Sequence, residues 1–163
     1  MDAVGLIRAT RHALARTRHV QDIVAEAWQA QALAEAVGSH LAVNGPLELR
    51  SEARGLSEAG GRACRALRSP PAGRARATEL TGVQDPRSAL LDLGGLLGEV
   101  GIALVAVACG ADEEMLYWQC VEAIDAADES SDRVRGLLRQ LDARERLQPD
   151  IAANRPDVAA EPS

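Results

Sequence analysis

Apolar residues recur along this chain at the spacing of α-helices. In the first segment Leu, Ala and Val return every seven residues, from Leu6 through Val20 and Ala34 to Leu41. Such a row lies on one side of an amphipathic helix and is typical of helices that pack against one another, as in a coiled coil. Comparable rows occur in three later segments. The pattern therefore predicts an all-α protein.

Turn residues divide these rows into four predicted helices. An Asn-Gly-Pro turn at 44–46 separates the first two helices, and the Pro-Pro pair at 70–71 ends the second. Asp85 and Pro86 suit the cap and the first residue of the third helix, which Gly110 ends. The helices are predicted at about 2–43, 46–68, 85–109 and 112–146, with a loop at 69–84.

Long outer helices and one long connection define the expected architecture. A continuous helix over 2–43 would be about 60 Å long at 1.5 Å per residue; a break near 17–19 is the alternative. Two tight turns and one crossover predict an antiparallel four-helix bundle in up-down-up-down order. We expect one domain over 1–147. Residues 148–163 are polar with three prolines and are expected to form a disordered tail.

The third predicted helix contains the most apolar stretch of the chain, residues 89–109. Asp92 and Glu99 interrupt this stretch and no aromatic belt flanks it, so a buried core helix fits better than a membrane span. Gly94, Gly98 and Gly101 form a row along it, which would let another helix backbone come close. We expect this helix to be the most buried one.

Composition and charge narrow the function classes. The chain lacks Phe and has one Tyr and two Trp, so the core must consist of Leu, Val, Ile and Ala. All 18 basic residues are Arg, which indicates a high-GC coding bias as in actinobacteria. The net charge of −6 disfavours nucleic-acid and membrane-surface binding. Three cysteines without a CxxC pair and no secretory leader indicate the cytoplasm.

No arrangement of residues in the sequence is typical of catalysis or metal binding. His12 and His19 share a helix face but lie roughly 10 Å apart, too far to bind one metal ion. No histidine follows a glutamate by three residues, as di-metal carboxylate bundles require. Phosphate-binding loops and the motifs of serine hydrolases and zinc proteases do not occur. We therefore expect a protein that is not an enzyme and has no cofactor and no metal.

The segment 112–132 is the strongest charge feature, with eight acidic residues and no basic one. Four of its acids recur at helical spacing on one face, which is either a surface for a cation or basic partner or a solvated outer face. Trp118 lies off the apolar row, and aromatic residues are favoured anchors at interfaces. The predicted partner surface comprises Tyr117, Trp118, Glu122, Asp125, Glu129 and Asp132.

Three segments carry a resemblance to a known family. They are AWQAQALAEAVG at 27–38, GLLGEVGIALVAVACG at 95–110 and LYWQCVEAIDAADESSDRVR at 116–135. They resemble a family of small uncharacterised helical proteins of streptomycetes and related actinobacteria, over roughly residues 2–145. The resemblance implies a cytosolic bacterial protein of unknown function and assigns no role to any residue.

Two hypotheses for the function follow. The first is a non-enzymatic module that binds a protein partner or itself, with a homodimer as one form and with neither nucleic acid nor membrane as a partner. The second is a small-molecule sensor with an apolar pocket between the helices, because the Ala and Gly residues on every row could leave space for a ligand.

Overall fold

In the computed structural model, which describes residues 1–68 and 73–153, the chain is helical almost throughout. Two short 3-10 turns, Leu47–Leu49 and Arg76–Glu79, lie in the connections, and no strand occurs in the described residues. The all-α prediction is confirmed. The α-helices are α1 (Ala3–Arg16), α2 (Val20–Asn44), α3 (Arg50–Leu67), α4 (Pro86–Cys109) and α5 (Glu114–Ala153).

The prediction of one continuous helix over 2–43 is wrong, because the chain breaks between α1 and α2. Thr17 is extended, with φ −90° and ψ 133°, and its N–H donates to Leu14 O. Its hydroxyl donates to Ala13 O at 2.8 Å. The break lets α1 fold back along α2, so that Leu6 and Ile7 are buried in the core. The alternative of a break near 17–19 is the correct one.

The end of the chain also differs from the prediction. The last helix was expected to stop near 146, and 148–163 were expected to be disordered. Instead, α5 continues to Ala153, so the first residues of that segment are helical. The rest of the predicted tail, 154–163, lies outside the described residues.

Contacts between helices define their directions. Glu48 in the 3-10 turn before α3 pairs with Arg144 of α5, and Arg62 of α3 pairs with Glu129 of α5, so these two helices are antiparallel. Arg87 at the start of α4 contacts Glu145 near the end of α5, so α4 is also antiparallel to α5. Helices α3 and α4 therefore run in the same direction, which differs from the predicted up-down-up-down order.

The connection from α3 to α4 must consequently return along the molecule. Gln119 Nε2 donates to Leu67 O at 3.5 Å, which places the end of α3 beside the start of α5. The start of α4 lies beside Glu145. These two positions on α5 are about 39 Å apart at 1.5 Å per residue. The chain returns over this distance between α3 and α4, and we call its described residues 73–85 the crossover.

Arg76 attaches the crossover to the first two helices. Its guanidinium donates to both carboxylate oxygens of Glu26 in α2, at 2.6 and 2.9 Å, and to the hydroxyl of buried Thr10 in α1 at 3.3 Å. The hydrogen bonds to Glu26 raise the pKa of Arg76 above its usual value. The side-chain amide of Gln29, itself buried, accepts from Arg76 N and donates to Arg74 O. Arg76 thus links the crossover to both α1 and α2.

Hydrogen bonds join the N-terminus to the end of the crossover that precedes α4. Ala3 N donates to Gly82 O at 3.0 Å, and Thr81 N donates to Met1 O at the same distance. The Asp2 carboxylate accepts from Gln84 N and from Val4 N, which lowers the pKa of Asp2. Asp2 is therefore both the cap of α1 and the anchor of the segment that precedes α4.

The core is aliphatic, as the composition predicted. Its largest fully buried side chains are leucines with one isoleucine, and alanines fill the narrow positions between them. The hydroxyl of buried Ser130 donates to Gln31 Oε1 at 2.8 Å, which joins α5 to α2 across the interior. Among the described residues no buried side-chain N or O atom lacks a hydrogen-bond partner. The buried polar side-chain groups of the described residues are therefore satisfied.

Two glycines allow α2 and α3 to approach closely. A Cβ added at Gly38 of α2 would lie 2.5 Å from Ser57 N, and one added at Gly60 of α3 would lie 2.6 Å from Glu35 N. Real Cβ atoms do not come so close to backbone, so any side chain here would push the helices apart. Sequence alone marks Gly60 as a weak point of its helix; the packing explains its presence.

Replacement of Gly38 by alanine tests this close approach. We expect Gly38→Ala to lower the free energy of unfolding by about 1–3 kcal/mol, because backbone atoms have to move. Gly98→Ala on α4 is the matched control: no atom lies within 4 Å of its Cβ position, so the better helix propensity should stabilise the fold by up to about 1 kcal/mol. Urea unfolding followed by circular dichroism measures both, and equal effects would contradict the packing.

Removal of the Arg76 guanidinium tests the crossover attachment. Arg76→Met leaves the Glu26 carboxylate, whose side chain is only 14% exposed, without its partner. We expect a loss of about 2–3 kcal/mol in the free energy of unfolding. The control is Arg8→Met, which removes an ion pair with Asp92 in which the arginine is 71% exposed, and which should cost about 0–1 kcal/mol. Similar losses in both variants would show that the Arg76 contacts add little.

Candidate functional site

The two aromatic residues of the predicted partner surface lie exposed on the first turns of α5. Tyr117 is 43% and Trp118 is 56% exposed. Their rings meet edge to face, with centroids 5.3 Å apart and planes at 79°. This pairing orients the indole without burying it. Met115, one turn earlier, is 85% exposed and adds flexible apolar surface beside the rings.

Trp118 lines a groove of about 470 Å³ between the end of α3 and the start of α5. The hydrogen bond from Gln119 to the last carbonyl of α3 holds its two walls together. Arg68, which ends α3 in a left-handed conformation with φ 55°, supplies a basic group at the rim. The other lining residues are Ala66, Glu114, Met115, Gln119 and Glu122.

Three of the four predicted acids lie next to this groove. Glu122 lines it and also lines a shallower groove of about 300 Å³ with Asp125 and Glu129. Glu129 forms an ion pair with Arg62 of α3 across that second groove. Asp132 pairs instead with Arg135 of its own helix at 2.6 Å and lines neither groove. The structure therefore brings together five of the six predicted residues and leaves Asp132 aside.

Acidic charge around Trp118 is largely uncompensated. Among the described residues, no basic side chain lies within 4 Å of six acids of the 112–132 segment. The nearest guanidinium in the groove lining belongs to Arg68. We call Met115, Tyr117, Trp118, Glu122 and Asp125 the Trp118 surface. The six acids are Asp112, Glu113, Glu114, Glu122, Asp125 and Asp128.

Five groove residues were missing from the predicted surface: Ala66, Arg68, Glu114, Met115 and Gln119. Met115 lies off the apolar row of α5, as Trp118 does, and this signal could have revealed it. Arg68 is the last residue of the predicted second helix. Its position at the groove could not be predicted from the sequence, because the groove forms only where α3 and α5 pack together.

The other side chains considered for chemistry lie apart from one another. Among the described side chains, no group of three or more His, Cys, Asp and Glu could hold a metal ion. Cys64 donates to Trp28 O, and burial raises the pKa of its thiol to about 12. Burial also raises the pKa of Cys120. These thiols are protonated at neutral pH, whereas a reactive cysteine must be a thiolate.

Two further grooves flank α4. A groove of about 520 Å³ separates it from α1, and one of about 370 Å³ separates it from α5. Ile102 lines both, and each also reaches one buried core residue, Leu14 in the first groove and Leu97 in the second. By length and composition alone α4 would suffice to cross a membrane, a property that core helices of water-soluble proteins share.

Comparison with known proteins gives a family and no function. No curated protein and no solved structure matches the chain. The model of a family of unknown function (DUF6099) matches residues 1–140, nearly all of the helical region. The resemblance to an uncharacterised family is confirmed by this match. The chain belongs to this family of unknown function.

Proposed function

We propose that this protein is a non-enzymatic interaction module of the actinobacterial cytoplasm that binds a protein partner through the Trp118 surface. The proposal treats residues 1–147 as one unit, in which α2 to α5 form an antiparallel four-helix bundle with coiled-coil-like packing. Neither nucleic acid nor membrane is the proposed partner.

The single observation that carries the proposal is an exposed aromatic pair surrounded by uncompensated acids. The core is complete without Trp118, which is 56% exposed, so packing does not account for the indole. Tryptophan and tyrosine are enriched among the residues that dominate binding energy at interfaces. The indole and the thioether of Met115 offer apolar area that a partner could bury.

Charge indicates the chemistry of the partner. Six acids that form no ion pair with a described residue create a negative potential at this end of α5, which favours and steers a positively charged partner. The groove between α3 and α5 is bordered by two helices and suits a third helix laid into it. The partner proposed is therefore a basic amphipathic helix whose apolar face contacts Trp118 and Met115.

A peptide titration tests this function. A Lys/Arg-rich amphipathic peptide with a Leu face, free of Trp, should quench or shift the fluorescence of Trp118 on binding. We expect Trp118→Ala to weaken peptide binding at least tenfold, which is about 1.4 kcal/mol of binding free energy. Calorimetry measures this change. Glu122→Gln combined with Asp125→Asn should weaken binding and reduce its salt dependence.

Matched variants at exposed positions elsewhere control for nonspecific effects. Leu47 is 76% exposed on the connection before α3, and Glu58 is exposed on α3. Leu47→Ala and Glu58→Gln should bind the peptide as the wild type does. Equal affinity of the Trp118→Ala variant, or equal binding of a peptide with Asp and Glu in place of its basic residues, would contradict the proposal.

Small-molecule binding is the alternative function. Its candidate site is the apolar groove between α1 and α4, which Leu14, Ile102 and Ala103 line together with the Arg11–Glu99 ion pair. A ligand retained in native mass spectra of protein purified from its own host, and lost in Ala103→Trp, would favour this alternative.

A further inference from the structure

The outward side of α4 is an apolar strip that no other described helix covers. Leu91, Ile102 and Val105 are among the exposed large hydrophobic residues, and Gly98 and Cys109 are exposed between and beyond them. We call these five residues the α4 face. They extend along about 27 Å of helix at 1.5 Å per residue, and no charged residue interrupts them.

Ion pairs with α1 draw the charges of α4 away from this face. Asp92 accepts from Arg8 at 3.3 Å, and Glu99 accepts from Arg11 in two hydrogen bonds of 2.6 and 3.2 Å. The two acids that interrupt the apolar sequence therefore lie on the α1 side of the helix. What remains outward is a surface that water solvates poorly.

Gly98 and Gly101 of α4 have no packing role among the described residues. Gly38 and Gly60 are required by backbone atoms closer than 3 Å to their Cβ positions, whereas nothing lies within 4 Å at Gly98 or Gly101. Glycine in the middle of a helix is unfavourable compared with alanine. If a helix of another chain packed closely on α4, Gly98 and Gly101 would allow that close approach, as Gly38 and Gly60 do between α2 and α3.

We propose that the α4 face is the interface between two copies of this chain. A two-fold interface pairs one surface with itself, so it must carry both projections and hollows. Ile102, 74% exposed, projects between the groove toward α1 and the groove toward α5. Each Ile102 can enter a groove of the other copy, with Gly98 and Gly101 as the floor of contact.

Side chains on the two flanks favour a second copy in one orientation, because a histidine N–H on one flank can donate to a carboxylate on the other. His12 lines the groove on the α1 side and Asp128 lines the groove on the α5 side, both beside Ile102. Neither forms an ion pair with another described residue. A two-fold axis along α4 places α1 of one copy opposite α5 of the other. His12 then faces Asp128 of the second copy, and the pair occurs twice.

Sedimentation velocity over a range of concentrations tests the interface. The wild type should be a dimer that dissociates on dilution. Ile102→Glu should raise the dissociation constant at least a hundredfold, since two carboxylates would enter the apolar contact. Leu47→Glu, at a position that is 76% exposed and outside both surfaces, should leave the dissociation constant unchanged. Unaltered circular dichroism confirms that each variant folds.

The glycine variant gives a signature that a folding defect could not produce. Gly98→Ala with Gly101→Ala should raise the melting temperature of the monomer and weaken the dimer at least tenfold. Increased stability together with unchanged dimerisation would overturn the proposal.

A charge exchange tests the orientation. Asp128→Arg should weaken the dimer, because Arg would face His12, and His12→Asp added to it should restore the affinity. Failure of this rescue would overturn the pairing along α4. A wild type that stays monomeric at 100 µM would overturn the interface itself, as would a monomer that floats with neutral phosphatidylcholine vesicles. Ile102→Glu and the glycine variant leave Trp118 and the six acids unchanged, so peptide binding at the Trp118 surface is tested separately from the dimer.

Discussion

The guanidinium of Arg76 holds together segments that the chain order would otherwise leave apart. Because α3 and α4 run in the same direction, the crossover must return along the molecule before α4 begins. Its contacts with Glu26, Gln29 and Thr10 fix its path over α2 and beside α1. The position of α4, and with it the outward apolar face, follows from that path. The start of α5 then lies against the end of α3 and forms the Trp118 groove.

Periodicity predicted which residues are buried, because burial of one helix face is a local property of the sequence. It favoured a continuous first helix and left the break at 17–19 as the alternative, because no Pro or Gly disfavours a helix there and the apolar row continues through Val20. There tertiary packing of α1 on α4 outweighs local preference. The order of the helices was also missed, since an apolar row shows that a helix has a partner without showing which one. Only the length of the predicted loop 69–84 indicated that the chain can run back along the molecule before the next helix begins.

The candidate site shows the same division. Exposure of Trp118 could be predicted because it lies off the apolar row, and the acids could be predicted to share a face of one helix. Nothing in the sequence indicated that Arg62 reaches Glu129 or that Arg68 lies at the groove rim, because these contacts depend on how α3 packs against α5. The fold thus presents two separate surface features, an acidic aromatic groove at the start of α5 and an exposed apolar strip along α4.

Amide hydrogen exchange measures most directly whether the crossover is fixed to the helices. The N–H groups of Arg76, Thr81 and Gln84 donate to Gln29, Met1 and Asp2. If these contacts determine the path of the chain, their protection should approach that of buried amides in α2 and should fall with them in denaturant. Exchange of the three amides at the rate of an unstructured loop, while α2 and α4 stay protected, would contradict the account.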